Sequence, residues 1–244
     1  TASISKASLV VSGIAAANKT YDATTGAALS GTAAVTALGS DSVSVIGAGA
    51  GSFADANAGS NKAVSVTGYT LTGVDAGNYN LVQPAGVSAT IRKADVIVSG
   101  SKTYDGATSV AGSTLTATGV AGQQFSVTGA GDASNLSSKN VQSGAALASA
   151  TGLSLGSSSN GGLASNYNAI GVAGSSYTVT AKGITLTGIS ALDKIYDATT
   201  TAALNTANVG YSGLVGGDAV SLAGSGTGSF VTKNVGVNKT VTVS

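Results

Sequence analysis

The 244-residue chain contains no cysteine, histidine, methionine or tryptophan, and all ten of its acidic residues are aspartates. Without cysteine there are no disulfides and no thiolate metal sites. Without histidine the commonest general base and the imidazole metal ligand are missing. Without glutamate, carboxylate chemistry falls to aspartates scattered along the chain. Charged residues make up 9% and the net charge is +1, so there is no basic footprint for nucleic acid. No apolar run reaches the roughly 18 residues that a membrane span needs. These absences predict a protein that is not an enzyme, carries no cofactor or metal, binds no nucleic acid and has no membrane span. No signal peptide is visible and the chain begins at Thr1, which fits a window cut from a longer polypeptide.

What is present is equally one-sided. Glycine contributes 36 residues and proline one. Apolar residues reach 43%, much of it alanine, which buries little area. The larger side chains are mostly Val, Thr, Ile, Leu and Tyr, in short alternating runs separated by Ser and Gly. That pattern predicts an all-β protein. The length suits two or three domains. Cysteine avoidance with Gly, Ser, Thr and Ala enrichment fits a secreted bacterial surface protein.

The chain repeats itself. "KTYDATT" (Lys19–Thr25), "KTYDGAT" (Lys102–Thr108) and "KIYDATT" (Lys194–Thr200) share one spacing. "KASLVVSG", "KADVIVSG" and "KGITLTG" precede them. "DSVSVIGAGAGSFADANAGSNKAVSV" (Asp41–Val66) pairs without a gap with "DAVSLAGSGTGSFVTKNVGVNKTVTV" (Asp218–Val243). In the middle copy Leu136 replaces Phe53 and Asn140 stands for Asn57. "GNYNL" at Gly77–Leu81 matches "SNYNA" at Ser165–Ala169. Two units close on alternating strands, "VSATIRK" and "SYTVTAK". The units therefore run 7–93, 94–182 and 183–244, the last one lacking its NYN segment and closing strand. Residues 1–6, "TASISK", have the shape of a closing strand. Each complete unit is expected to hold six to eight short strands in a small antiparallel sandwich or β-grasp-like domain. "SATIRKADVIVSG" joins units without a Gly/Ser-rich linker, which predicts units held end to end as an elongated rod.

Each motif is read first as structure. In KxYDxTT the aspartate is suited to accept from a backbone N–H two residues on, as a turn begins. Tyr21, Tyr104 and Tyr196 can bury their rings, with Lys19, Lys102 and Lys194 laid along them. Asp22, Asp105 and Asp197 then start the same turn three times. The residue after the aspartate is Ala, Gly and Ala, which argues against a positive φ there. Phe53 and Phe230 follow glycine-rich stretches that read as strands approached closely by another backbone, not as phosphate loops. "DANAGSN" (Asp55–Asn61) offers oxygens at alternate positions, as a calcium loop does, but no glutamate follows. Tyr79 and Tyr167, inside "NYN", read as aromatic plugs of a turn.

The combination of K-x-Y-D-[GA]-[AT]-T, the GSF…N.G.NK.V.V stretch, NYN and "ATIRKA" resembles the YDG and MBG (mostly β, glycine-rich) repeats. Those repeats occur in very large secreted bacterial adhesins, including filamentous-haemagglutinin-like proteins exported by two-partner secretion. The resemblance implies a structural stalk or fibre segment at the bacterial cell surface or in a biofilm matrix. Its implied partners are neighbouring repeats, other copies in a fibre, and host-surface or matrix glycans. A glycan-binding β module is the alternative, with exposed Tyr and Asn as the contact.

Overall fold

The computed structural model describes residues 1–244 in full, and the chain is all-β. Its only helical elements are four single 3-10 turns, such as Ala76–Asn78 and Ala164–Asn166. The residues gather into two compact bodies. The larger comprises residues 1–101, 108–137 and 144–178, and the smaller residues 102–107, 138–143 and 179–244.

In the larger body, the first repeat builds a five-stranded sheet. Its order is Lys19–Thr20, Ser88–Arg92, Gly59–Thr67, Ala50–Phe53, Gly26–Ala27. The closing strand Ser88–Arg92 is the keystone. It lies parallel to Lys19–Thr20, with Ile91 opposite Lys19. It lies antiparallel to Gly59–Thr67, with Ser88 opposite Ala63 and Ile91 opposite Gly59. Alternation along this strand sends Ala89 and Ile91 inward, at 5% and 1% exposure. Burying Ile91 contributes about 1.5–3 kcal/mol. A second parallel ladder joins Ala7–Val10 to Tyr79–Val82. The expectation of purely antiparallel domains is corrected by these two ladders, because the closing and opening strands each run beside a strand of the same direction.

The second repeat contributes a six-stranded sheet. Ile97–Thr103, Leu115–Thr118, Gln124–Thr128 and Ser154–Ser158 are successive antiparallel neighbours in it, completed by Gln142–Ala145 and Ser176–Thr180. Val98, Ala117 and Phe125 meet across three strands, all buried, while Thr116 and Ser126 face outward on the opposite phase. The Ala-rich stretch after Asp22 holds no helical turn; it forms the strands Gly26–Ala27 and Leu29–Ala34. The first repeat, at eleven strands, exceeds the expected six to eight, because bulges and glycines cut its strands short.

The smaller body holds two strand pairs, Thr185–Thr187 with Gly210–Ser212 and Ser190–Ala191 with Leu204–Asn205. Beside them lies a three-stranded sheet of Thr201–Ala202, Gly228–Phe230 and Val241–Val243. Gly51 and Gly228 show why the GSF strands are glycine-rich. A Cβ on either would sit 2.8 Å from a carbonyl oxygen of the neighbouring strand, that of Ala27 or Ala202.

Candidate functional site

The KxYDxTT motif folds into an ammonium clasp. Lys19 Nζ donates to Asp22 Oδ1 at 2.8 Å, to the Thr24 carbonyl at 2.7 Å and to the Gly26 carbonyl at 2.9 Å. Asp22 Oδ1 in turn accepts from the Thr24 N–H at 2.9 Å and the Thr24 hydroxyl at 2.8 Å. The third copy repeats this almost atom for atom. Lys194 Nζ reaches Asp197 Oδ1 at 2.7 Å and the Thr199 carbonyl at 3.0 Å, and the Thr199 N–H donates to Asp197 at 2.9 Å. In the middle copy Lys102 Nζ lies 2.9 Å from Asp105 Oδ1 and donates to the Ala107 carbonyl at 2.8 Å.

The expected turn with the aspartate accepting two residues on is therefore present in all three copies. The ammonium groups of Lys19 and Lys194 also sit over rings, 5.6 Å and 5.7 Å from the centroids of Phe53 and Phe230. One detail is corrected. The residue after the aspartate does take a positive φ: Ala23 at 63°, Ala198 at 62° and Gly106 at 78°. The clasp over-determines the turn and holds alanine in the left-handed region despite the Cβ.

The clasp tunes its carboxylates. Burial opposes charge on Asp22, but hydrogen bonds from Lys19 and Thr24 outweigh it and hold the carboxyl below its ordinary value. Asp105 follows the same pattern, with burial outweighed by Lys102 and the Ala107 N–H. At Asp197 the hydrogen bond from Lys194 leads, drawing the carboxyl down to about 2.

A second clasp occupies the calcium-like loop. Lys62 Nζ donates to Asp55 Oδ1 and, at 2.9 Å, to the Asn57 carbonyl. Lys62 is the first cause of the lowered Asp55 carboxyl. In the third copy Lys239 Nζ donates to the carbonyls of Thr232 and Asn234. The oxygens that suggested a cation site thus hold a lysine ammonium.

The tyrosines converge on a position the sequence did not single out. Tyr79, 5% exposed, donates through its hydroxyl to Asp41, and the Leu38 N–H donates back to that hydroxyl at 3.2 Å. Tyr167, 2% exposed, does the same with Gln123 at 2.7 Å and receives the Val120 N–H at 2.9 Å. Asp41, Gln123 and Asp218 are equivalent positions. Each closes a turn by donating its N–H to the carbonyl three residues earlier, at 3.1 Å in every case. The same position collects the YD tyrosine of the preceding repeat. Gln123 Nε2 donates to the Tyr21 hydroxyl at 2.9 Å, and Tyr104 donates to Asp218 at 2.8 Å. Tyr21 is buried, Tyr104 is half-buried and Tyr196 is 55% exposed. Alignment of Asp41 with Asp218 was the available signal for this hub; glutamine in the middle copy masked it.

Asn166, the first asparagine of the second NYN, is fully buried. It accepts from the Ala58 N–H at 2.9 Å and donates to Asn57 Oδ1 at 3.0 Å, so it ties the second repeat to the first. Inside the second repeat, buried Asn135 plays a part that sequence reading missed. Its Oδ1 accepts from the Val110 and Asp132 N–H groups and its Nδ2 donates to the Ser149 and Thr151 carbonyls.

The family model described as YDG domain matches residues 5–86 and 180–244, well over half of the chain. The chain belongs to the YDG-domain family. The two YDG matches cover the first and third repeats, whose clasps are nearly superimposable in their bonding, and leave out the middle copy, in which Leu136 replaces the phenylalanine. No curated protein and no solved structure matches this YDG chain.

Proposed function

We propose that the chain is a structural spacer: YDG-type β units set end to end as a semi-rigid rod in a secreted bacterial adhesin or biofilm-matrix protein. The rod holds an adhesive region away from the cell surface, and its work is mechanical, not catalytic. The observation that carries this reading is the bonding of Tyr21 to Gln123 and of Asn57 and Ala58 to Asn166. Buried Tyr21 of the first repeat is bonded by the second, and buried Asn166 of the second is bonded to the first, which suits a stiff joint. The motif residues also direct their polar groups inward. Lys19, Asp22, Lys194 and Asp197 bind their own turns, and Tyr21, Tyr79 and Tyr167 are buried. That arrangement leaves them unsuited to contact a glycan.

The test is to display the chain on bacteria between a membrane anchor and a tip domain of known ligand, in one, two and three copies. The tip-to-membrane distance is expected to grow in even steps, while the soluble chain binds neither a glycan array nor host cells. A soluble chain that binds glycans and blocks attachment would overturn the spacer reading in favour of a binding module.

A further inference from the structure

One exposed segment of the second repeat has no part in the clasps. Residues 159–162, Ser-Asn-Gly-Gly, follow the strand Ser154–Ser158. They contain the chain's single Asn-Gly step, Asn160 followed by Gly161, and both residues are exposed. Asparagine is a thermolabile residue. It loses its amide most readily before glycine, which has no Cβ to keep its backbone nitrogen away from the preceding side chain.

Both reacting groups are set out for that loss. The Gly161 N–H has no acceptor, φ there is 86°, and no atom stands within 4 Å of where a Cβ would be. The nitrogen is therefore open to solvent. The Asn160 carboxamide, in contrast, is held. Its Oδ1 accepts from the Gln124 N–H at 2.8 Å and from the Ser158 hydroxyl at 3.3 Å. Two donors on that oxygen draw electrons from Cγ and stabilise the oxyanion formed when a nucleophile adds there. Ser158 is itself fixed, since its Oγ accepts from the Asn160 N–H at 3.2 Å and the Gly162 N–H at 2.9 Å. Asn160 Nδ2 donates to the Gly122 carbonyl at 2.9 Å.

We propose that Asn160 deamidates in the folded protein, without enzyme or cofactor, at a site that its own loop activates. The Gly161 nitrogen gives its proton to water and bonds to Asn160 Cγ. The Cγ–Nδ2 bond then breaks, and Nδ2 takes a proton from water and leaves as ammonia, which closes a succinimide ring. Water opens the ring at either carbonyl. Opening at Cγ leaves aspartate; opening at the backbone carbonyl leaves isoaspartate, with the chain running through Cγ. Either way asparagine and water become a carboxylic acid and ammonia, and once the acid ionises the net charge falls by one from its +1.

The two products act differently on the joint between the first two repeats. The first repeat already uses an aspartate in this role. Asp75 Oδ2 accepts from the Ser42 N–H at 2.8 Å, one residue beyond Asp41, as Asn160 accepts one residue beyond Gln123. Aspartate at position 160 therefore keeps the Gln124 bond and loses only the bond to Gly122. Isoaspartate withdraws the acceptor from Gln124 as well. That frees the turn around Gln123, the residue that bonds both Tyr21 and Tyr167. The joint thus softens as the protein ages. The chemistry does not rest on the spacer reading.

The test holds the folded chain at mildly alkaline pH and follows every asparagine by peptide mass spectrometry, with fragmentation that separates aspartate from isoaspartate. Amide hydrogen exchange reads Gln124 in parallel. Asn160 should convert well ahead of every other asparagine. Ser158→Ala, which removes a donor from Oδ1, should slow the conversion severalfold, and Gly161→Ala should all but stop it. Gln124 exchange should quicken in the aged, isoaspartate-bearing protein and stay slow in Asn160→Asp. An Asn160 that survives until the chain unfolds, conversion spread evenly over the asparagines, a Ser158→Ala variant that reacts as fast, or unchanged Gln124 exchange in the aged protein would each overturn the inference. Amide loss says nothing of tip distance, so failure here and failure of the spacer reading are separate results.

Discussion

Tyr21 and Tyr167 meet edge to face, with ring centroids 5.5 Å apart and planes at 78°. They come from different repeats, and their hydroxyls share one amide, that of Gln123. The ring pair adds packing energy beyond its buried area, and the shared amide keeps two buried hydroxyls satisfied.

Tyr21→Ala should therefore destabilise the protein by about 3–5 kcal/mol, as other buried aromatic truncations do. Tyr196→Ala, in the same motif but largely exposed, should stay within about 0.5 kcal/mol. Chemical denaturation of the two variants checks this. Equal effects would show that the motif tyrosine acts within its own turn and not through the neighbouring repeat.

Gln123→Ala removes the partner of two hydroxyls and should cost about 1–3 kcal/mol. A Tyr21→Phe/Tyr167→Phe background should recover part of that loss, because no orphaned hydroxyl then remains. The double-mutant cycle gives the coupling directly.

Ala23 and Ala198 sit in the left-handed region at a cost of about 1–2 kcal/mol each. Replacing either with glycine relieves that strain but raises the entropy of the unfolded chain. The net expectation is a gain of about 0.5–1 kcal/mol. Gly106→Ala should do the reverse and more, since its Cβ would also meet Val215 Cγ1 at 2.7 Å. Melting temperatures of the three variants decide the sign.

The pH profile has two limbs. Asp22, Asp55, Asp105 and Asp197 all have carboxyls below the ordinary value of 3.8, Asp197 at about 2. The unfolded chain therefore takes up protons first, so their contribution is present above pH 3.8 and is lost as pH falls toward the folded values. Asp197→Asn should flatten the melting-temperature slope between about pH 4 and 2. On the alkaline side, the Asp41 hydrogen bond raises the Tyr79 phenol above its ordinary value of 10.0, and burial raises that of Tyr167. The folded state keeps these protons longer, so stability holds below pH 10 and falls as pH rises through the folded values. Tyr79→Phe and Tyr167→Phe should each reduce that alkaline loss.

Much of this was legible in the sequence, and the reason is repetition. Three copies of Lys-x-Tyr-Asp announced one turn, alternation in "SATIRK" marked a closing strand, and the Asp22 acceptor role follows from aspartate's short side chain. The left-handed φ at Ala23 was not legible. Local steric preference argued against it, and the lysine that overrides the preference binds carbonyls, which no side-chain pattern reveals. The parallel ladder of Ser88–Arg92 with Lys19–Thr20 was hidden for a related reason: pairing direction depends on where distant segments return, not on their residues. The Asp41, Gln123 and Asp218 position escaped notice because what recurs there is a hydrogen-bond acceptor on a turn, and aspartate and glutamine supply it equally well.

The clasps also bear on digestion. The chain has only eleven lysines and arginines, and Lys19, Lys62, Lys102, Lys194 and Lys239 have their ammonium groups ringed by oxygens of their own loops. A trypsin-like protease must draw a basic side chain out into its own acidic pocket before it can cut. Nearly half of its targets in this chain would first have to abandon their loops, so the folds that hold the protein together also ration the places where such a protease can begin to take it apart.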